Sequence, residues 1–85
     1  METRIAIIGV IIEDRSQATE VNSLLSEYGH YIKGRMGIPY EEKQVSVISV
    51  VMDAPMDIIS ALSGKLGALQ GVSTKTVYSK KDSVK

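Results

Sequence analysis

Four residues carry the most chemical potential in this chain: Asp14-Arg15-Ser16, at the end of the first strand-like run, and Arg35, set among Gly34 and Gly37. A carboxylate, a guanidinium and a hydroxyl at a strand-to-helix turn combine fixed charge, a fork of N–H donors and a helix N-terminus that favours anions. Arg35 would add a second cation on a segment that its glycines leave adaptable. The chemistry this set supports is capture of a small ligand, with no bond making.

Catalysis and metal binding lack the residues they need. His30 is the only histidine and there is no cysteine. A Ser–His–carboxylate set would leave one imidazole to serve every acid–base role. A protein metal site needs several His, Cys or carboxylate donors at fixed spacing, and His30, just past a helix end, reads as a polar edge residue. Glu13-Asp14 and Glu41-Glu42 are adjacent in sequence and read as solvated charge. Ser63-Gly64-Lys65 superficially resembles a phosphate-binding loop. That motif wants glycine five residues before its Gly-Lys pair and Ser or Thr after it, where this chain has Ile59 and Leu66, and it opens a helix where this segment closes one. Acylphosphatases place a Gly-rich loop and arginine after their first strand, and Gly9, Val10 and Arg15 match that only faintly. No enzyme, no cofactor and no metal are expected.

Composition narrows the class further. Eighty-five residues make one small domain, expected over residues 1–80 with a basic tail at 81–85. Ten basic and ten acidic residues cancel, and the pI is near 6.6. Phosphate-backbone binding relies on uncompensated Lys and Arg, and base stacking on a sheet needs exposed aromatics. There is no Phe or Trp, and the central strands carry no Tyr, so direct nucleic-acid binding is not expected. The longest apolar run, Ile5 to Ile12, is far shorter than the ~20 residues of a membrane span. It also lacks the flanks of a signal peptide. A cytoplasmic protein without membrane contact is the expectation.

The elements that would position these residues follow from periodicity. Arg4 to Ile12 is continuously apolar and β-branched, as in a strand buried on both faces. Asp14 with Gln17 reads as a capping box. Ala18, Val21, Leu25 and Tyr28 recur at helical spacing, with Gly29 as a left-handed stop. A polar strand runs from His30 to about Gly37, then an exposed connection through Ile38-Pro39-Tyr40-Glu41-Glu42-Lys43. Val45 to Met52 is a second apolar strand, and Asp53 reads as the cap of a helix that tolerates Pro55 in its first turn. That helix has a stripe of Ile58, Leu62, Leu66 and Leu69, contains Gly64 and Gly67 on one face, and stops at Gly71. Helical glycine costs about 1 kcal/mol against alanine, so this pair points to close packing. Val72 to Tyr78 is the last strand.

The two halves echo each other at an offset of about 42 residues, with Ile5 falling on Val47, Gly29 on Gly71 and Lys33 on Lys75. The order β-α-β, β-α-β predicts a ferredoxin-like α+β sandwich, with a four-stranded antiparallel sheet, two helices on one face and the apolar strands in the centre. Both faces of those central strands are apolar: Ile5, Ile7 and Ile11 oppose Ile8, Val10 and Ile12, and Val45, Val47 and Val51 oppose Ile48, Val50 and Met52. Helices cover only one face. The other is too apolar to be left wet, which predicts a homo-oligomer, dimer or tetramer, through the open sheet face. Paired domains of this kind often hold ligands between subunits near the first strand-to-helix turn, where Asp14, Arg15 and Ser16 lie.

Arg35-Met36-Gly37-Ile38-Pro39-Tyr40, Leu62-Ser63-Gly64-Lys65-Leu66-Gly67, Gly71-Val72-Ser73-Thr74-Lys75-Thr76-Val77 and Val10-Ile11-Ile12-Glu13-Asp14-Arg15 together resemble the iron-only hydrogenase system regulators. The resemblance spans about residues 4 to 80. It implies an ACT-like domain, similar to the ligand-binding, tetramerising part of the nickel-responsive repressor, and a regulatory role in hydrogenase production or maturation in anaerobes. The histidines and cysteine of that repressor's nickel site have no match here, so nickel sensing does not carry over. The ribbon-helix-helix pattern that precedes its domain is also missing, which argues against direct DNA contact. The expected function is therefore a non-enzymatic oligomeric regulatory module that senses a small effector or docks a partner. The alternative is a transcription factor that binds DNA itself.

Overall fold

The computed structural model describes residues 2–80; the tail expected at 81–85 lies outside them. Its order is β1 (Arg4–Ile12), a 3-10 turn (Arg15–Gln17), α1 (Ala18–Glu27), a second 3-10 turn (Gly29–Tyr31), β2 (Ile32–Tyr40), β3 (Val45–Ala54), α2 (Met56–Gly67) and β4 (Val72–Tyr78). The four strands form one antiparallel sheet in the order β2-β3-β1-β4. The two most apolar strands are central, as a ferredoxin-like βαββαβ sandwich requires.

Alternation along the central strands divides them between two environments. Ala6, Ile8, Val10 and Ile12 of β1 and Ile48, Val50, Met52 and Ala54 of β3 are buried beneath the helices. They meet Val21 and Leu25 of α1 and Ile59, Leu62 and Leu66 of α2 in one core. Burying each large chain of this kind contributes about 1.5–3 kcal/mol.

Several boundaries differ from the sequence expectation. β2 continues to Tyr40, so Ile38, Pro39 and Tyr40 are strand and the connection shrinks to residues 41–44. An edge strand tolerates Gly34, Gly37 and Pro39 because it need not donate on both sides. Asp53 belongs to β3, and Pro55 is the N-cap of α2, with no side-chain cap bond. The buried helix stripe is Ile59, Leu62 and Leu66, with Ile58 and Leu69 only partly buried. Gly29 is no left-handed stop: α1 runs into a 3-10 turn, and Gly71 alone among the described glycines has positive φ, at 76°. There is no capping box either, since the carboxylate of Asp14 accepts from Ser16.

The close packing expected at the helical glycines holds for one of them. A Cβ at Gly67 would lie 3.2 Å from Thr74 Oγ1, whereas one at Gly64 would meet nothing within 4 Å. Gly64→Ala is therefore expected to stabilise the folded chain by about 1 kcal/mol, the ordinary helix-propensity difference. Urea denaturation checks this, and a loss of stability would mean that something outside the chain packs on Gly64.

Candidate functional site

The turn after β1 is held from two sides. Glu13 and Asp14 N–H both donate to Gly71 O, at 2.7 and 3.2 Å. Ser16 N–H and Oγ–H donate to Asp14 Oδ1, at 3.0 and 2.6 Å. Those bonds hold the Asp14 carboxyl below its usual pKa, because they favour the charged acceptor. Asp14 and Ser16 thus satisfy each other.

Arg15 turns away from them. Its guanidinium forms a bidentate pair with Glu41 at the tip of the β2–β3 hairpin, at 3.3 and 2.9 Å. The pair lowers the Glu41 pKa and raises that of Arg15. The hairpin that presents Glu41 turns through Gln44 at φ 57°. Both side chains are solvent-exposed, so the contact positions the loop and contributes little stability.

Arg35 lies elsewhere, on the helix side of β2. In register with the buried Val50 and Ile48, Arg35 and Gly37 face α1, with Pro39 beyond them. The smallness of Gly37 and Pro39 leaves a groove between β2 and α1, a cavity of about 300 Å³ lined by Ile12, Ala18, Asn22, Arg35, Pro39 and Ile48, among others. A second hollow of about 280 Å³, reaching Leu25, Gly29 and Ile32, meets it at Arg35. Arg35 Nη2 donates to Asn22 Oδ1 at 2.9 Å, while Asn22 Nδ2 donates to Ala18 O at 3.0 Å. The amide is thereby fixed with its oxygen toward the guanidinium. Arg35 has no carboxylate partner among the described residues. The remaining N–H donors of its fork are free for an anion.

The structure thus groups Asp14 with Ser16, sends Arg15 to Glu41 and leaves Arg35 with Asn22. Asn22 was not singled out in the sequence, although a mid-helix Asn one turn from Ala18 is a poor helix former with an amide to spare. His30 stands edge-on to Tyr31, ring centroids 5.5 Å apart. Among the described residues no group of three or more His, Asp or Glu is placed to hold a metal ion.

The opposite face of the sheet is apolar and uncovered. Ile5, Ile7 and Ile11 of β1, Val47 and Val51 of β3, Met36, Ile38 and Tyr40 of β2 and Val77 of β4 are between 37% and 65% exposed. Strand register places them all on one side. Gly9, Ser49, Ser73 and Lys75 share this face, and monomeric soluble domains rarely expose so many large apolar chains together.

The sequence profile of the TM1266-like family, the iron-only hydrogenase system regulators, matches residues 4–76. The chain belongs to this family. The uncharacterized protein TM1266 from Thermotoga maritima has the same fold with a TM-score of 0.88 and 41% identity, over 93% of this chain and 100% of that one. More distant structures share the fold alone. A formyltetrahydrofolate deformylase from Pseudomonas putida KT2440 aligns over 86% of this chain but 28% of its own, at TM-score 0.62 and 15% identity. CPII, a nitrogen regulatory PII-like protein from Thiomonas intermedia K12 solved with ADP, AMP and bicarbonate, aligns over 93% of this chain and 99% of its own, at TM-score 0.52 and 14% identity. No curated protein matches the chain. The βαββαβ frame is shared with the Thermotoga maritima protein, and no helix of the described chain is long and apolar enough to cross a membrane.

Proposed function

We propose that the chain is a non-enzymatic regulatory module of an iron-only hydrogenase system that self-associates through its open sheet face and takes a small anionic effector beside Arg35. The observation that carries this reading is the uncovered face itself, with large apolar chains on all four strands. Leaving them in water forfeits on the order of 25 cal/mol for every Å² that a partner would bury. The effector site rests on the groove. Its walls are largely apolar, its volume of about 300 Å³ suits a small molecule, and its one cation is oriented by Asn22 without a counter-ion. A carboxylate on a short apolar body matches that lining. The fold hosts small anions elsewhere, since CPII was solved with bicarbonate and adenine nucleotides.

Hexanoate is a suitable probe. Titrated into ¹⁵N-labelled protein, it is expected to shift the amides of Asn22 and Gly37, and Arg35→Gln should weaken binding roughly tenfold by removing a charge-assisted bond. Shifts that are absent, or that survive Arg35→Gln unchanged, would remove the effector site. A mobility-shift assay with DNA from upstream of the protein's own gene tests the rest. The chain alone should leave that DNA unshifted; a sequence-specific shift would replace this reading with a transcription factor that contacts DNA directly.

A further inference from the structure

Gly9 has no reason within the chain to be glycine. It sits in the middle of the central strand β1, where glycine weakens pairing and offers no side chain to pack. Its φ is not in the left-handed region. A Cβ there would meet only Lys75 O, at 3.8 Å, an ordinary contact. Glycine in a strand interior that no bulge or bend demands marks a place where something else approaches closely.

Register shows what Gly9 does to the open face. Gly9 pairs with Ser49 on one side and Lys75 on the other. Lys75 and Met36, which pairs with Ser49, stand at the two ends of this row. Between them Gly9 and Ser49 leave a short furrow, and a hollow of about 260 Å³ opens at its Gly9 end, between Lys75 and Ile11. One step along the strands, Val77, Ile7 and Val51 are paired in a row and stand up as a ridge, each exposed. Furrow and ridge are two residues apart, roughly 7 Å.

We propose that the furrow of Gly9 and Ser49 seats Ile7 and Val51, the inner part of the ridge, from a second copy of this chain, with Val77 against the Lys75 stem at the rim. A two-fold axis lying across the strands between Ile7 and Gly9 carries each ridge onto the other's furrow, the self-complementarity that an isologous interface requires. Two sheets packed this way interdigitate at about 10 Å. Four strands about 4.8 Å apart and some nine residues long present a projected area on the order of 500 Å². Its side-chain relief brings that near the ~800 Å² of accessible surface each partner gives in a stable dimer. The same geometry accounts for the small residue at the furrow's second position, Ser49.

The inference rests on self-association through the open face, and its test separates the two. Gly9→Val and, independently, Ser49→Val each fill the furrow with an apolar group on a strand that favours β-branched residues. If the face were merely sticky, both would leave association unchanged or strengthen it. Seating of the ridge predicts the reverse: a folded protein by circular dichroism whose dissociation constant, from sedimentation equilibrium, rises on the order of a hundredfold over wild type. Should Gly9→Val not fold, Ser49→Val alone decides. Wild-type oligomers that both filled variants retain would overturn the furrow and leave self-association standing. A monomeric wild type would overturn self-association and the furrow with it.

Discussion

Gly71→Ala is expected to cost about 3 kcal/mol or more, a large share of the roughly 4–13 kcal/mol that stabilises a domain of this size. Two effects add. The backbone at Gly71 has φ 76°, where any L-residue pays about 1–2 kcal/mol. The new Cβ would also stand 2.5 Å from Asp14 Cβ and 3.2 Å from Asp14 N. Those atoms cannot swing aside, because Asp14 N–H and Glu13 N–H are bonded to Gly71 O. Relief must come from parting the β1–α1 turn from the start of β4, which loosens the pairing of Ile12 with Val72. Gly29→Ala is the matched control at the equivalent position of the first half. It has no neighbour within 4 Å and no positive φ, so it should be neutral or stabilising by a few tenths of a kcal/mol. Urea midpoints of the two variants compare them directly, and a Gly71→Ala protein as stable as wild type would show that the turn is not locked as described.

Ile7→Lys should abolish self-association while leaving the fold intact. Ile7 lies at the centre of the open face, between Val51 and Val77, and is already 44% exposed in the single chain. An exposed lysine there costs the monomer little. Across a two-fold interface the same change buries a charge twice with no partner, a penalty of about 4 kcal/mol or more, or roughly a thousandfold in dissociation constant. Sedimentation velocity at micromolar concentration distinguishes the outcomes. A variant that sediments as wild type would place the contact elsewhere on the molecule.

Strand patterning was the most legible property of the sequence. Arg4 to Ile12 and Val72 to Tyr78 match β1 and β4 residue for residue, because an apolar run and a β-branched run that follows a glycine stop are local signals. The uncovered face was legible for the same reason: Ile5, Ile7 and Ile11 alternate with chains already needed by the core. What escaped depended on tertiary partners. β2 extends past Gly37 through Ile38, Pro39 and Tyr40 because β3 supplies a template that propensity alone does not see. Gly29 and Gly71 look alike at an offset of about 42 residues, yet only Gly71 must let another turn approach its Cα. The candidate site was legible by residue type and not by grouping. Arg15 finds Glu41 across 26 positions and Arg35 finds Asn22 across 13, and no local pattern encodes either choice.

The proposed regulatory role rests on the apolar sheet face being covered by another copy of the chain, and a native mass spectrum of the purified protein reads that most directly. Self-association predicts dimers or tetramers as the dominant species at low micromolar concentration, with any retained effector adding its own mass. A clean monomer at the 9.2 kDa of the single chain would contradict it.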